Sequence, residues 1–447
     1  MPVALAYEDG TIRIDGRHDS LDGLPFVERD DRTDTYRAPA YRYPDLRAHL
    51  ETFDVPVEDS VPDWERISVR SDYVLRDYQR DALDAWTDAR RRGVVELPTG
   101  SGKTVLGIKA IESVDQSALV VVPTVDLLVQ WRDELDAEFD CDVGQLGGGT
   151  QELEPVTVST YDSAYLRADE LGDHFGLVVY DECHHLGGEG FREIARFSAA
   201  PARLGLTATF ERPDHAHETV ETLVGDVVYR LSPDDLAGDH LAEYAVKRVD
   251  VPLTDEERER YDDAQGTFVE YLRTSNLSFS SGSDYMELVK RSGSDPRARE
   301  ALLAKQEARR IVSESENKIR ELERILDRHR GDRIIVFTAS TDLVYRLSER
   351  FLLPAITHET NTAERRDFLD AFRDGTYSRI VTANVLDEGV DVPDANVAVV
   401  LAGSGSEREF TQRLGRVLRP KDDGGRALLY ELVSADTAEE NVADRRR

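Results

Sequence analysis

Residues 97–104, Leu-Pro-Thr-Gly-Ser-Gly-Lys-Thr, have the composition and spacing of a phosphate-binding loop. They follow a short apolar strand pattern and precede a helical one, which is the context that such a loop requires. Two glycines let backbone N–H groups turn toward a phosphate, a lysine can reach the β and γ oxygens, and a threonine hydroxyl can ligate Mg²⁺. The first glycine of the usual pattern is replaced by Leu97, and the alternative is a glycine-rich turn without a ligand. The sequence therefore predicts a site for ATP and Mg²⁺ formed by Pro98, Thr99, Gly100, Ser101, Gly102, Lys103 and Thr104.

A pair of carboxylates follows the apolar strand pattern at 177–180. Asp181, at the carboxyl end of that strand, is predicted to hold Mg²⁺ directly or through water. Glu182 is predicted to orient and deprotonate the attacking water. A solvated acidic loop is the alternative, but the parallel-sheet pattern that also contains Lys103 favours a catalytic pair.

Two histidines and a hydroxyl-bearing strand end lie downstream of the carboxylates. His184 is predicted to relay between Glu182 and the segment that contains Thr207 and Thr209, whereas the alternative for these threonines is helix capping. Zinc at His184 and His185 is disfavoured, because no cysteine pair or further spaced histidine lies nearby.

A basic stripe occurs near the carboxyl end of the chain. Gln412, Arg416 and Arg419 are spaced i, i+4 and i+7, so a helix would place them on one face. Arginines on such a face can neutralise a γ-phosphate during transfer. A solvated basic face is the alternative, which the scarcity of basic stripes in this chain disfavours.

The chain is strongly acidic, with a net charge of −33, but the acidity does not exclude a nucleic-acid partner. Seven of its 56 basic residues are lysine, and the 89 acidic residues are spread along the whole chain. This composition is typical of proteins from a molar-salt cytosol, such as that of haloarchaea. At about 1 M salt the Debye length is about 3 Å, so net charge has little influence on the choice of partner.

The 447 residues allow about three domains. We find no apolar run long enough to cross a membrane, no secretion signal and no Cys-x-x-Cys pair. We therefore expect a cytoplasmic protein. A hairpin is predicted at 3–14, a short helix at 45–53 and a linker at 54–63.

Strand and helix patterns then alternate in two series, each typical of a parallel sheet with helices on both faces. Strands are predicted first at 94–97, 118–122, 156–159, 177–180, 204–206 and 227–230, and later at 333–337, 379–382, 396–401 and 427–431. A polar helical segment, 254–330, separates the two series.

Taken together, these motifs resemble the superfamily 2 helicases over residues 75–433. The resemblance implies that Arg76, Gln79, Gly389 and Asp391 also bind the nucleotide. It implies nucleic-acid contacts from Pro123, Gln130, Trp131, Gly148, Thr160, Thr207, Thr209, Arg212, Thr338, Thr382 and Asn384.

Within that superfamily, the chain is similar to the xeroderma pigmentosum group B helicases in their archaeal form. The likeness is carried by Asp-Glu-x-His-His, by Ser-Gly-Ser-x-Arg ahead of Gln-Arg-Leu-Gly-Arg, and by Arg-Ala-Pro-Ala-Tyr-Arg-Tyr at 37–43. The family has an Arg-Glu-Asp tripeptide linked to strand opening, and here that place is occupied by Arg212-Pro213-Asp214. Pro213 stands where the family has the acidic residue, which argues against a strand-separating role for this tripeptide.

The resemblance implies an α/β fold with two RecA-like parallel-sheet motor domains, a small N-terminal α+β domain and a helical thumb-like insertion. The expected domains are a damage-recognition-like domain at 1–65, an ATP-binding motor domain at 66–235 and a second motor domain at 236–447 with the thumb at about 254–305.

The implied function is that of an ATP-dependent 3′-to-5′ DNA helicase or translocase in DNA repair of the nucleotide-excision type. Two alternatives remain open: a duplex-DNA motor that never separates strands, and an ATP-gated DNA-binding module that recruits a nuclease. DNA is the expected partner, a nuclease is a candidate partner, and the chain is expected to act as a monomer.

Overall fold

The computed structural model describes most of the chain and divides it near residue 240 into two compact units. The described residues are 2–16, 21, 24–98, 100–188, 190–208, 210, 216–231, 244–275, 282–383, 395–401 and 427–440. Each unit is built on parallel strands with helices packed against them, so the expected α/β fold class is confirmed.

The amino-terminal part of the first unit is a five-stranded sheet in the order β3-β4-β2-β1-β5, with one helix, α1 (Tyr43–Thr52). The predicted hairpin is present, since β1 and β2 pair antiparallel around a turn in which Asp9 and Gly10 both have positive φ. The strands are β1 (Val3–Glu8), β2 (Thr11–Asp15), β3 (Glu28–Asp30), β4 (Thr35–Pro39) and β5 (Val57–Asp59).

The prediction of a linker at 54–63 is wrong, because this segment contains β5. Residues Val57–Asp59 pair in parallel with β1 and complete the edge of the sheet. The composition of 54–63 is that of a loop, and only the exposed edge of β1 gives three of its residues a strand partner. Val61 is then fully buried in the core of this sheet.

The rest of the first unit is an eight-stranded sheet in the order β13-β6-β12-β11-β7-β10-β8-β9. All its pairings are parallel except that of β9 with β8. The central strands β7 and β11 are buried at every position, which explains why each is a continuous apolar run. The strands are β6 (Arg92–Glu96), β7 (Ala118–Val122), β8 (Val143–Gly147), β9 (Thr150–Glu152), β10 (Val156–Thr160), β11 (Leu177–Asp181), β12 (Ala202–Thr207) and β13 (Val227–Arg230).

Helices connect these strands and cover the sheet. A short 3-10 segment, Cys183–Gly187, follows β11 directly. The helices are α2 (Asp77–Asp88), α3 (Lys103–Val114), α4 (Val125–Glu138), α5 (Tyr161–Leu166), α6 (Arg192–Phe197) and α7 (His217–Leu223). Because the strands are parallel, the segments after β6, β10, β11 and β12 all leave from one edge of the sheet, where the predicted site residues lie.

The second unit contains a six-stranded parallel sheet in the order β14-β19-β18-β15-β17-β16. The sequence pattern missed β14, a charged edge strand that pairs with β19 over its whole length. The strands are β14 (Tyr244–Val251), β15 (Ile334–Thr338), β16 (Ala355–Ile356), β17 (Arg379–Ala383), β18 (Val397–Val400) and β19 (Ala427–Ser434).

The predicted polar helical segment lies between β14 and β15. It contains α8 (Asp255–Ser275), α9 (Gly282–Ser292), α10 (Pro296–Ser313) and α11 (Glu316–Arg328). The remaining helices are α12 (Thr341–Phe351) and α13 (Thr362–Arg373). Among the described residues, no helix has both the length and the apolar composition needed to cross a membrane.

Candidate functional site

The described residues 97, 98 and 100–102 connect β6 to α3, as predicted. Gly100 and Gly102 adopt φ values of +75° and +79°, a conformation that side-chain-bearing residues rarely take. The Ser101 hydroxyl closes the loop by donating to the Pro98 carbonyl at 2.6 Å. The first residues of α3 have no side-chain cap, so their backbone N–H groups remain available for an anion.

Side chains of α2 hold the loop through hydrogen bonds. The Tyr78 hydroxyl and the Gln79 side-chain amide both donate to the Ser101 carbonyl, at 2.7 and 2.8 Å. A methyl group added at Gly102 would lie 2.5 Å from Gln79 Nε2, so only glycine fits there. The Gln79 side-chain carbonyl accepts from the Arg76 backbone N–H at 2.9 Å. Arg76 and Gln79 therefore support the loop, and their contact with the nucleotide stays a prediction.

Lys103 and the two predicted carboxylates lie together. Lys103 Nζ is 3.4 Å from Glu182 Oε1, and this buried ammonium has no hydrogen-bond partner among the described residues. A buried ammonium without hydrogen-bond acceptors costs free energy even when a carboxylate lies nearby. Phosphate oxygens would satisfy it.

Asp181 and Glu182 occupy the carboxyl end of β11, where both side chains are buried. Burial and the neighbouring Glu182 carboxylate raise the pKa of Asp181, whereas Lys103 and the indole N–H of Trp131 lower it. Glu182 has a φ of +47°, a left-handed conformation that costs free energy in a residue with a side chain. Such strain occurs at functional sites when the surrounding structure holds it.

The structure does not place Trp131, a predicted nucleic-acid contact, on an accessible surface. Its side chain is fully buried on the inner face of α4, and its indole N–H donates to Asp181 Oδ2 at 2.9 Å. The Tyr161 hydroxyl donates to the main-chain carbonyl of the same aspartate at 3.1 Å. Both aromatic residues therefore hold Asp181 and are not accessible to a base.

Thr207 also belongs to the carboxylate cluster and not to a nucleic-acid surface. It is fully buried at the end of β12, and its hydroxyl lies 3.1 Å from His184 Nδ1 and 3.5 Å from Glu182 Oε2. His184 Nδ1 is 3.6 Å from Glu182 Oε2. The structure thus brings together the three groups that the sequence predicted to relay, whereas the nucleic-acid contact of Thr207 stays a prediction that its burial does not support.

Three family models match most of the chain. The family model "Type III restriction enzyme, res subunit" matches residues 72–212, "ERCC3/RAD25/XPB C-terminal helicase" matches 299–447, and "Xeroderma pigmentosum group B helicase damage recognition domain" matches 5–61. The DNA 3′-5′ translocase XPB2 of Sulfurisphaera tokodaii is 44% identical, with 100% of both chains covered. The chain belongs to the xeroderma pigmentosum group B helicase family.

Two further comparisons extend this assignment. The putative DNA 3′-5′ helicase Rad25 of Halobacterium salinarum is 32% identical over 98% of this chain and 68% of its own length. The helicase domain of Hef from Pyrococcus furiosus shares the fold, with a TM-score of 0.53, 19% identity, and coverage of 83% of this chain and 98% of that chain. The fold of this family member is therefore that of a helicase motor.

The donor set fits ATP and Mg²⁺. The uncapped backbone N–H groups at the start of α3 and the Lys103 ammonium, which lacks a hydrogen-bond acceptor among the described residues, suit phosphate oxygens. Thr104 and Asp181 supply the oxygen ligands that Mg²⁺ prefers. No group of three potential metal ligands occurs among the described residues. A magnesium ion bound with a nucleotide would take one or two protein ligands and complete its shell with phosphates and water.

The remaining first-unit candidates lie at the same edge of the sheet. Gly148 is exposed in the turn between β8 and β9, and Pro123 is half-buried just ahead of α4. The Gln130 amide donates to Glu134 at 3.1 Å. These three stay predicted contacts of the nucleic-acid strand.

Three threonines predicted to contact nucleic acid have hydroxyls that are buried and already bonded, so their contacts stay predictions without a free hydroxyl to support them. Thr160 caps α5 by accepting from the Ser163 N–H, Thr338 donates to the Ser340 carbonyl, and Thr382 donates to the Ala383 carbonyl. A threonine at the end of a buried parallel strand satisfies itself locally. Hydroxyl chemistry alone does not reveal this.

Several predicted site residues lie outside the described residues. They are Thr99, Thr209, Arg212, Asn384, Gly389, Asp391, Gln412, Arg416 and Arg419. Their roles stay predictions.

The sequence did not identify Tyr78 or Tyr161 as supports of the site, and it assigned Trp131 to the nucleic-acid surface. A signal for Trp131 was present, since Leu127, Leu128, Trp131 and Leu135 have the spacing of a buried helix face and are all buried. No local signal identifies Tyr161, whose partner is distant in sequence.

Proposed function

We propose that the protein is an ATP-dependent DNA translocase that moves 3′ to 5′ and can separate strands during DNA repair. The observation that carries the proposal is the convergence of Lys103, Asp181 and Glu182 beside an uncapped helix start. Full-length similarity to a relative named as a DNA 3′-5′ translocase supports the choice of nucleic acid and polarity.

The proposed chemistry assigns each residue one task. The loop N–H groups and Lys103 hold the phosphates of ATP, and Thr104 with Asp181 holds Mg²⁺, which neutralises charge on the phosphates when bound. Glu182 accepts the proton of the attacking water at a side-chain oxygen. Lys103 must first turn away from Glu182, because the present ion pair occupies that carboxylate. His184 and Thr207 hold Glu182 in place.

Arg416 and Arg419, with Gln412, are proposed to act on the γ-phosphate from the second motor domain, as their shared helical spacing suggests. Residues 1–65 are proposed as a damage-recognition domain and 254–305 as a thumb.

One observation favours a second function, a duplex-tracking motor that does not separate strands. The tripeptide Arg212-Pro213-Asp214 lacks the acid that the strand-opening version has at its centre. Recruitment of a nuclease by an ATP-gated complex is a third proposal, consistent with the family resemblance. We also infer a monomer working in a molar-salt cytoplasm, supported by the acidic, lysine-poor composition.

ATP turnover measured at molar salt with single-stranded DNA, duplex, fork and RNA tests the proposal. We expect DNA to stimulate turnover and RNA to do so weakly or not at all. Strand displacement from a fork, compared with displacement of a third strand from blunt duplex, distinguishes a helicase from a duplex-tracking motor. Turnover that no DNA accelerates would contradict both.

A further inference from the structure

Trp131 connects α4 to the catalytic carboxylates. Its indole N–H donates to Asp181 Oδ2 at 2.9 Å, and its ring packs on α3, where a methyl group added at Gly107 would lie 2.5 Å from the ring. Gly107 is one helical turn after Lys103. Because α4 begins two residues after Pro123, a predicted strand contact, displacement of α4 moves a hydrogen-bond donor of Asp181.

Tyr161 connects a second element to the same residue. Its hydroxyl donates to the Asp181 main-chain carbonyl at 3.1 Å, and its ring lies 5.7 Å from the ring of His185. The preceding residue, Thr160, packs against the glycine turn at 147–149, since a methyl group added at Gly147 would lie 3.0 Å from the Thr160 hydroxyl. Gly148 and Gly149 in this turn are exposed.

The two elements are also linked to each other. Arg132 on α4 donates to the Gln145 side-chain carbonyl at 2.8 Å, and the Gln145 amide donates to the Gly147 carbonyl at 2.9 Å. The middle of α4 and the glycine turn are thus connected by hydrogen bonds, and α4 and the strand end after the turn each connect through one aromatic side chain to Asp181. The remaining carboxylate oxygen of Asp181 accepts from the Glu182 backbone N–H at 3.0 Å.

We propose that Trp131 and Tyr161 are positioning residues that transmit DNA occupancy of the first motor domain to Asp181, and so set how strongly DNA accelerates ATP hydrolysis. The inference rests on the proposed function, because it assumes that α4 and the glycine turn contact DNA. A buried Trp and Tyr could instead serve packing alone. The distinction is measurable in binding: residues that couple the two sites change the effect of a nucleotide on DNA affinity, whereas residues that only pack leave that effect unchanged.

Trp131→Phe and Tyr161→Phe each remove one hydrogen-bond donor and keep an aromatic ring. Trp86→Phe is the matched control for the first, because Trp86 is also fully buried and its indole N–H donates to a main-chain carbonyl, that of Arg203, at 2.9 Å. Tyr180→Phe is the control for the second, because Tyr180 is buried beside Asp181 and its hydroxyl has no hydrogen-bond partner among the described residues.

The measurements are ATP turnover without DNA and at saturating DNA, and DNA affinity with and without a non-hydrolysable ATP analogue. We expect both test variants to lower the ratio of stimulated to basal turnover by about 5–20-fold. Nucleotide-free DNA affinity should stay within about twofold, while the effect of the analogue on DNA affinity should be lost in parallel. In the double variant the losses should not add, because both act on Asp181.

Equal losses of basal and stimulated turnover, or an unchanged effect of the analogue on DNA affinity, would overturn the inference and leave the proposed function standing. A loss of DNA-stimulated ATP turnover in the control variants would also overturn the inference and leave the proposed function standing. A wild-type protein that DNA does not stimulate would instead remove the proposed function and the inference with it. If Trp131→Phe fails to fold, Tyr161→Phe, which deletes a single oxygen, decides the question.

Discussion

Glu182 combines three unusual features: burial, a left-handed backbone and an ion pair with the phosphate-loop lysine. A purely structural acid has no need of the strained backbone, which places the carboxylate beside Lys103, His184 and Thr207. The same features explain why replacements at this position should separate binding from chemistry.

In Glu182→Gln, ATP turnover should fall by about 10²–10⁴-fold while ATP affinity stays nearly unchanged, because the amide keeps the shape and cannot accept the proton. Lys103→Ala should lower both ATP turnover and ATP affinity, since it removes the cation that binds the phosphates. Turnover at saturating DNA and nucleotide binding by fluorescence check this, with Glu170→Gln, an exposed glutamate, as the control. Near-normal turnover in Glu182→Gln would remove Glu182 from the base role.

Arg203 is a second residue whose environment is decided by tertiary structure. It is fully buried, and its guanidinium donates to the main-chain carbonyls of four residues: Ala195, Ser198, Ala200 and Leu223. Burial lowers the pKa of Arg203, and the charge of Arg92 adds to the effect. The carbonyls at the ends of α6 and α7 carry partial negative charge and take the place of a carboxylate.

Arg203→Lys should therefore destabilise the first unit by about 3–5 kcal/mol, because a compact ammonium cannot reach all four carbonyls and leaves some of them unsatisfied. Arg196→Lys on the exposed face of α6 is the control, and its surface ion pair with Glu193 should change stability by less than about 1 kcal/mol. Denaturant midpoints measured at constant salt compare the two. Similar midpoints would show that the buried arginine is replaceable.

At the scale of elements, the amino-terminal sheet packs on helix α6 and on the segment ahead of β11 in the first motor domain. The β1–β2 turn lies against Phe197 at the end of α6, and the Tyr7 hydroxyl donates to the Asp169 carbonyl at 2.9 Å. Tyr41 packs into the core of the motor sheet. The segment 37–43, which carries part of the family likeness, thus contributes to the joint between the two sheets.

Gly10→Ala tests this joint, because its methyl group would collide with the Phe197 ring and Gly10 also has positive φ. We expect a loss of about 2–4 kcal/mol, from overpacking added to backbone strain. Gly149→Ala is the matched control: it has positive φ but no atom within 4 Å of the added methyl group, so it should cost only about 1–2 kcal/mol. Equal losses in the two variants would mean that the sheets do not hold each other at this contact.

At the scale of the whole molecule, lysine is confined to particular sites. Among the six lysines described, five form an ion pair or lie over an aromatic ring, and two, Lys247 and Lys290, are exposed. Lys103, Lys109 and Lys318 form ion pairs, and Lys247 and Lys305 lie over aromatic rings. The surface cations are therefore almost all arginine, which agrees with the proposed molar-salt setting.

DNA binding should accordingly depend weakly on salt. Each phosphate neutralised on duplex contributes a slope of about 0.9 in log affinity against log salt, so six to ten lysine contacts would abolish binding in molar salt. With 89 acidic residues against 56 basic ones, we expect a slope corresponding to only a few phosphates, with backbone N–H and other uncharged contacts supplying the rest. A titration from 0.2 to about 3 M salt measures it. A steep slope, with binding lost at a few tenths molar, would contradict the inference from composition.

The sequence by itself determined the parts of the site that are local in the chain. The loop at 97–104 and the pair Asp181–Glu182 follow from glycine conformation, strand ends and side-chain chemistry within a few residues. The two parallel sheets followed from apolar runs, because a strand buried on both faces must be apolar throughout.

Only the tertiary structure decided what depends on partners far apart in sequence. Trp131 and Tyr161 hydrogen-bond to Asp181 across 50 and 20 positions, which makes Trp131, a predicted nucleic-acid contact, a buried support of Asp181. Thr207 faces Glu182, and β5 becomes a strand because β1 offers a free edge. In each case the local pattern allows several environments, and the choice among them is made by packing and by the need to satisfy buried polar groups.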